Sequence, residues 1–189
     1  MSIPLEELVK TLNRLADYDE EETKDHSRRT REISLLIGKK IGIKKAELKI
    51  LGYCADLHDI GKLIIGVDLI RQACRLNKAQ TIQMQSHTVL GAELFSFISS
   101  IPWQIPDTVR HHHEHWDGCG YPDKLKGEQI PIFSRIVCIA DVWDAISSDR
   151  PYRNAMSRKR AIDFMEKHVG WFDPAIYKIW QELMNGNMI

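Results

Sequence analysis

Apolar residues recur along this chain at three- and four-residue spacing, and the pattern predicts an almost wholly helical protein. Pro4 opens a first helix that ends near Ala16. The acidic stretch from Asp17 to Glu22 leads into a second, in which Ile33, Leu36, Ile37 and Ile41 recur and Gly42 supplies the stop. Residues 44–57 read as a third helix, which delivers His58 and Asp59 near its C-terminal end before Gly61 allows a turn. A less regular stretch follows, then a helix over residues 81–99 with His87, Leu90, Gly91 and Leu94 close to one face. Pro102 and Pro106 break it. Residues 107–113 form a short helix that runs into a glycine-rich loop, and Pro131 starts a helix in which Ile132, Ile136, Ile139, Ala140 and Trp143 recur and which carries Asp141. Residues 158–169 and 174–184 give the last two helices, with Asp173 as a cap before Pro174. No repeat, low-complexity tract or dividing linker interrupts the series, so the expectation is an all-α fold in one domain.

Composition narrows the function classes. At 189 residues the chain is long enough for a real core. Its 26 basic and 26 acidic side chains cancel, which argues against a nucleic-acid polymer or a membrane surface bound through bulk charge. The short run Arg28-Arg29-Thr30-Arg31 does not change that in a neutral chain. No apolar stretch approaches the ~18 residues of a membrane span. Cys54, Cys74, Cys119 and Cys138 form no C-x-x-C pair and read as small, mostly buried hydrophobes. With no basic-then-apolar signal at the N-terminus, the expected location is the cytoplasm.

Three clusters of ligand-type side chains carry the chemistry. His112-His113-Glu114-His115-Trp116-Asp117-Gly118-Cys119-Gly120-Tyr121-Pro122 places adjacent imidazoles before a loop with two glycines and a proline. His58-Asp59-Ile60-Gly61-Lys62 lies upstream, and Asp141 and Asp144 supply carboxylates downstream. Imidazole is the commonest side-chain ligand for first-row metals, so the clusters point to a metal site gathered from across the fold. His113-Glu114 does not begin H-E-x-x-H, because Asp117 stands in the final position, and Gly118-Cys119-Gly120 does not begin a dinucleotide fingerprint. A structural zinc domain is disfavoured, since no cysteine falls at ligand spacing.

The set formed by His58-Asp59-x-Gly61-Lys62, His87-x-x-x-Gly91, His112-His113-Glu114-x-x-Asp117-Gly118-x-Gly120-Tyr121-Pro122 and the segment from Arg135 to Arg153 closely resembles HD-GYP domains, from about Glu22 to Asp173. HD-GYP proteins are a branch of the HD metal-dependent phosphohydrolases, and characterised members hydrolyse cyclic di-GMP. The resemblance implies a helical bundle of the HD type, with residues 1–21 as an N-terminal extension, 22–173 as the catalytic core and 174–189 as a C-terminal helix. It also implies a phosphodiesterase that opens cyclic di-GMP to linear pGpG and cuts on to GMP. By the same resemblance Asp59 bridges two ions, with His26, His58 and Asp141 completing one position and His87, His112 and His113 the other. Glu22 precedes His26 by four residues and so shares its helix face; since some HD-GYP domains hold a third metal with a glutamate at this position, the resemblance implies that Glu22 is a candidate ligand of a third ion. Family members have been associated with iron and manganese, and a site of imidazoles and carboxylates suits either. His111, His115 and His168 fit no ligand position.

Two metals about 3.5–4 Å apart can supply both a strong nucleophile and charge neutralisation for phosphodiester hydrolysis. Lys62, three residues past Asp59, is placed to contact phosphate and to help protonate the leaving oxygen. Arg150-Pro151-Tyr152-Arg153 puts two guanidinium groups around a turn, suited to gripping phosphate, and in the family these positions contact the dinucleotide. Tyr121 borders the expected base pocket, Gly118 and Gly120 permit backbone conformations closed to other residues, and Asp117 orients a histidine or Arg150. Between Lys62 and His87 the sequence departs from its relatives, lacking their Ile-Pro-Asp step and Pro-Gly turn, which bears on substrate access. HD-GYP domains are usually attached to a sensory or receiver domain, for which this chain has no room. The expectation is a stand-alone enzyme, an excised catalytic domain, or a module controlled by a separate sensory, receiver or diguanylate cyclase protein. The alternatives to the leading reading are a catalytically weak module that binds cyclic di-GMP or docks with a diguanylate cyclase, and an HD phosphohydrolase for another nucleotide.

Overall fold

A computed structural model of the protein describes residues 4–17, 21–70, 76–149 and 154–186. Among them the elements are α1 (Leu5–Asp17), α2 (Glu21–Ile41), α3 (Lys45–Leu57), α4 (Lys62–Ile65), α5 (Val67–Ile70), α6 (Lys78–Gln85), α7 (His87–Glu93), α8 (Gln104–His111), α9 (Ile132–Ser147), α10 (Arg158–Lys167) and α11 (Pro174–Asn185). Single 3-10 turns at Gly127–Gln129 and Val169–Trp171 join them, and no strand occurs among the described residues. The all-α expectation holds.

The burial pattern of each helix explains its place. In α9, Phe133, Ile136, Val137, Ile139, Ala140, Trp143 and Ile146 are buried, which covers most of its circumference and makes it the central helix. α2 packs most extensively on α3 and α9. Its inward stripe runs His26, Thr30, Ile33, Ser34 and Ile37, polar at one end and apolar at the other. The C-terminal half of α3 is buried from Leu51 through Leu57, so the residues that follow it, His58 and Asp59, emerge inside the molecule. α11 closes the apolar end with Ile176, Tyr177, Trp180 and Leu183, and Trp180 meets Trp143 edge-on at 5.2 Å between ring centroids. Val9 of α1 belongs to the same core.

Capping follows the sequence signals at several ends. Asp173 accepts hydrogen bonds from the amides of Ala175 (2.8 Å) and Ile176 (3.3 Å), and Pro174 at the first helical position lacks only a proton that would be unpaired anyway. Gly42 ends α2 in the left-handed region at φ 91.

Two expectations are corrected. The single helix expected over residues 81–99 is two, α6 and α7, interrupted at Ser86. Ser86 Oγ, His87 Nδ1 and Thr88 Oγ1 each donate to the carbonyl three residues back, on Gln83, Met84 and Gln85. Such local bonds compete with the helical ladder, and the apolar periodicity does not register them. Pro106 does not break a helix. It sits in the first turn of α8, where its missing amide proton would be unpaired in any residue. Among the cysteines, Cys54 and Cys138 are buried as expected and Cys119 is exposed, while Cys74 lies outside the described residues. No helix among the described residues is long and apolar enough to cross a membrane.

Candidate metal centre

Five helices deliver seven side chains to one buried point. His26 comes from α2, His58 and Asp59 from the end of α3, His87 from the start of α7, His112 and His113 from the end of α8, and Asp141 from the middle of α9. Their candidate donor atoms fall into two groups, His26 with His58 and Asp141, and Asp59 with His87, His112 and His113, each group lying within 4.8 Å. The two groups bring together the residues that the resemblance names as candidate ligands. Asp59 joins the groups through its two oxygens: Oδ2 lies 3.4 Å from His58 Nε2, and Oδ1 lies 3.3 Å from His87 Nε2 and 3.8 Å from His112 Nε2. Asp141 also reaches both ways, with Oδ1 3.3 Å from His26 Nε2 and Oδ2 3.9 Å from His113 Nδ1.

The close approach that assembles the site is made by two glycines. A Cβ on Gly61 would lie 1.9 Å from the carbonyl oxygen of His87, and one on Gly91 would lie 3.0 Å from the amide of Gly61. Gly61 itself has φ −66 and ψ −14, which any residue adopts. The chain turns at Gly61 as expected, but glycine is needed there for space, so that α7 can lie on the backbone beside Asp59. Gly120 is a similar case, with a Cβ 2.3 Å from the amide of His115, whereas Gly118, at φ 84, supplies the expected left-handed turn.

Hydrogen bonding fixes which ring nitrogens face the centre. A main-chain carbonyl carries no proton, so the Nδ1 atoms of His58, His87 and His112 donate to Ala55 O (2.7 Å), Met84 O (2.7 Å) and Val109 O (2.9 Å). Each ring then turns its Nε2 inward. The Nε2 atoms of His87 and His112 are 3.3 Å apart, and the buried Oδ1 of Asp59 has no hydrogen-bond partner. Facing lone pairs and an orphaned carboxylate oxygen need a cation between them. The donor set, imidazoles and two carboxylates with no thiolate, fits first-row divalent ions.

The electrostatics agree. Burial pushes the imidazoles of His87 and His112 down and that of His113 to about 3, so these rings are neutral and available as ligands at neutral pH. Burial opposes charge on Asp59, but Lys62 and the histidines outweigh it and hold the carboxyl well below its usual range. Asp141 behaves in the same way, through its hydrogen bond to His26 and the charge of His58. For His26 burial is overcome by hydrogen bonds to Asp141 and Asp144, which lift its pKa to about 9.

Around the centre, Lys62 Nζ lies 2.5 Å from Asp59 Oδ2, beside the cluster as its position predicts. The ring of Tyr121 tilts over that of His113 at 4.9 Å between centroids. Arg150 and Arg153 lie outside the described residues, as does the side chain of Glu22, whose backbone lies in the first turn of α2. Asp117 does not orient a histidine by a hydrogen bond; its Oδ1 accepts from the amide of Cys119 at 2.8 Å and closes a turn of the loop. His111 pairs with Asp107 and Asp123 away from the ligand groups.

Two roles escaped the sequence. Buried Glu114 accepts hydrogen bonds from the amides of Asp123 (2.6 Å) and Leu125 (3.0 Å), fastening the loop that carries Tyr121 and Pro122. Asp144 Oδ2 accepts a hydrogen bond from Nδ1 of His26 at 2.6 Å. Its place three residues after Asp141, on the same face of an apolar helix, was the available signal.

A helical bundle built around a buried histidine and aspartate centre defines a domain of the HD type. The family model for the HD domain matches residues 10–176, and the chain belongs to that family, with the motifs of its HD-GYP branch. As an HD domain it binds divalent metal. The chain is 35% identical over 170 residues to the cyclic di-GMP phosphodiesterase response regulator RpfG of Xanthomonas campestris pv. campestris, covering 87% of this chain and 45% of that protein. It is 30% identical over 182 residues to 3'3'-cGAMP-specific phosphodiesterase 3 of Vibrio cholerae, covering 96% and 39%. Among solved structures, a cyclic GMP-AMP specific phosphodiesterase of V. cholerae, V-cGAP3, shares the fold with a TM-score of 0.69 at 22% identity, over 96% of this chain and 49% of that one. The chain thus spans less than half the length of these curated relatives.

Proposed function

We propose that this chain is a metal-dependent phosphodiesterase that hydrolyses cyclic di-GMP to linear pGpG and, in a second cut, to GMP. The observation that carries the reading is the position of Asp59, one carboxylate whose two oxygens face two separate histidine groups while Oδ1 has no protein partner. His26, His58 and Asp141 would hold one ion and His87, His112 and His113 the other, with Asp59 shared; Glu22 is the candidate ligand for a third. Iron or manganese is the proposed metal, since hard carboxylates and borderline imidazoles suit both. Ions held there would supply charge neutralisation for the phosphoryl group and an activated nucleophile at neutral pH.

The chain's own groups account for the rest of the chemistry. Asp59 and Asp141 stay ionised, so both carboxylates are available to the ions before substrate arrives. Lys62 uses one N–H on Asp59 and keeps two donors, enough to hold a phosphate oxygen and to pass a proton to the departing ribose oxygen. Tyr121, held over His113 and fastened through Glu114, forms a wall against which a base can lie. Arg150 and Arg153 are proposed to hold the second phosphate. Residues 22–173 are proposed to act as the HD-GYP catalytic core, in the cytoplasm, with a sensory, receiver or diguanylate cyclase protein as the candidate source of its input.

The test is to reconstitute the protein anaerobically with ferrous iron or manganese, add cyclic di-GMP or cyclic GMP-AMP separately, and follow products by chromatography. Cyclic di-GMP should give pGpG and then GMP, and Asp59→Ala should lower the rate by about 10³-fold or more, or ~4 kcal/mol of barrier. Faster turnover of cyclic GMP-AMP would move the assignment to a mixed dinucleotide. Metal-loaded protein that leaves both intact would overturn it.

A further inference from the structure

Four of the five imidazoles of the centre are oriented in two different ways. His58, His87 and His112 give their Nδ1 protons to carbonyls three residues earlier in the chain, on Ala55, Met84 and Val109. Each of those locks closes within one turn of local backbone and needs no other element. His26 has no such bond. Its Nδ1 reaches across to α9, where it lies 2.6 Å from Asp144 Oδ2.

Asp144 is itself held in place. It is buried at 2% exposure and accepts from the guanidinium of Arg29, through Nε and through Nη2 at 3.2 Å, and from Ser148 Oγ at 3.1 Å. Arg29 stands on α2, one turn after His26, so the contact runs from α2 to α9 and back. A carboxylate is also a stronger acceptor than a main-chain carbonyl. It raises the basicity of the ring it holds and hence the donor strength of Nε2, and the loss of such a partner typically lowers metal affinity 10–100-fold.

We propose that Asp144, backed by Arg29, is a positioning residue for His26 and makes the two ion positions separable: the one built on His26, His58 and Asp141 depends on the α2–α9 contact, and the one built on His87, His112 and His113 does not. This rests on the ligand assignment proposed above and on no substrate. Aspartate at 144 thereby serves a metal position without touching the ion. The carboxylate of Asp141, one turn earlier, faces the ligand nitrogens directly.

The test counts ions. Wild-type, Asp144→Asn and Arg29→Gln proteins are dialysed against buffered manganese at a series of free concentrations, and bound metal per chain is measured by mass spectrometry. Manganese electron paramagnetic resonance on the same samples reports whether the ions are magnetically coupled. Asp144→Asn should bind one ion fewer at concentrations that fill the wild type, retain the other at wild-type affinity, and replace a coupled signal by that of an isolated ion. The lost step should return at 10–100-fold higher manganese. Arg29→Gln should weaken the same step several-fold, and it keeps the inference exposed to failure if Asp144→Asn does not fold, as judged by near-ultraviolet circular dichroism. Unchanged affinity in both variants, or equal loss from both positions, would overturn the proposal. A wild type that binds one ion would overturn the ligand assignment as well, whereas a wrong substrate leaves these counts as stated.

Discussion

The two ends of α2 are held by different kinds of force. At the apolar end Ile33 and Ile37 are buried against α3, α9 and α11 by contacts that are numerous and non-directional. At the other end His26 and Thr30 are just as buried, yet His26 is fixed by one carboxylate and faces three more ligand groups. The apolar end tolerates changes of shape at constant volume. The polar end tolerates few changes of any kind, because each unpaired buried group there costs about 1–3 kcal/mol or more. One helix therefore serves as a packing element and as a ligand arm, and the two halves should respond to substitution in separable ways.

The largest effect is expected where the site end depends on backbone contact. Gly61→Ala would drive a methyl into the His87 carbonyl, which no rotamer change relieves. Destabilisation above about 3 kcal/mol and loss of bound metal should follow in denaturation and metal analysis; a stable, metal-replete variant would break the comparison. Ile37→Ala, at the opposite end of α2, should remove about 3 kcal/mol of stability by leaving a cavity. Its metal content and its turnover per folded molecule should match the wild type, and a selective loss of either would show that the halves are coupled.

Chelation comes next in size. Without a cation the lone pairs of the centre face one another, so metal should stabilise the fold by about 2.7 kcal/mol at a free concentration 100 times Kd. A melting curve indifferent to chelator would argue against a buried centre. The smallest effect belongs to Asp123, on the loop outside the centre, where Arg110 holds both carboxylate oxygens at 2.7 and 2.8 Å and His111 adds a third contact. The Arg110 hydrogen bond, against slight burial, lowers its pKa from 3.8 to about 2. A lowered folded pKa means a contribution present above about pH 4 and lost as pH falls through about 2. Because the pair is solvent-screened, Asp123→Asn should cost under about 1 kcal/mol, and the gap in urea midpoint from the wild type should close between pH 4 and 2.

The same contrast governs what could be read before folding. Apolar periodicity locates α2, α3, α9 and α11 and the stripe through Ile33, Ile37, Ile136 and Trp143, because burial of that kind is written in residue type and spacing. The interruption at Ser86 is not, since it comes from three side chains that bond to their own backbone. The metal residues were legible as a family pattern rather than as geometry, and the structure brings together all seven whose side chains are described. Asp144 was visible as a carboxylate in a carboxylate cluster, but its partner lies 118 residues away on another helix. Gly61 was read as a turn residue because glycine's conformational freedom is familiar, whereas its need for space depends on which helix lies against it.

The central claim is that Asp59 is shared by two ions. It is tested most directly by crystals of the manganese-loaded protein, with diffraction measured on both sides of the manganese absorption edge. The account predicts two anomalous peaks, one at each oxygen of Asp59, the first among His26, His58 and Asp141 and the second among His87, His112 and His113. A single peak, or peaks away from Asp59, would contradict it.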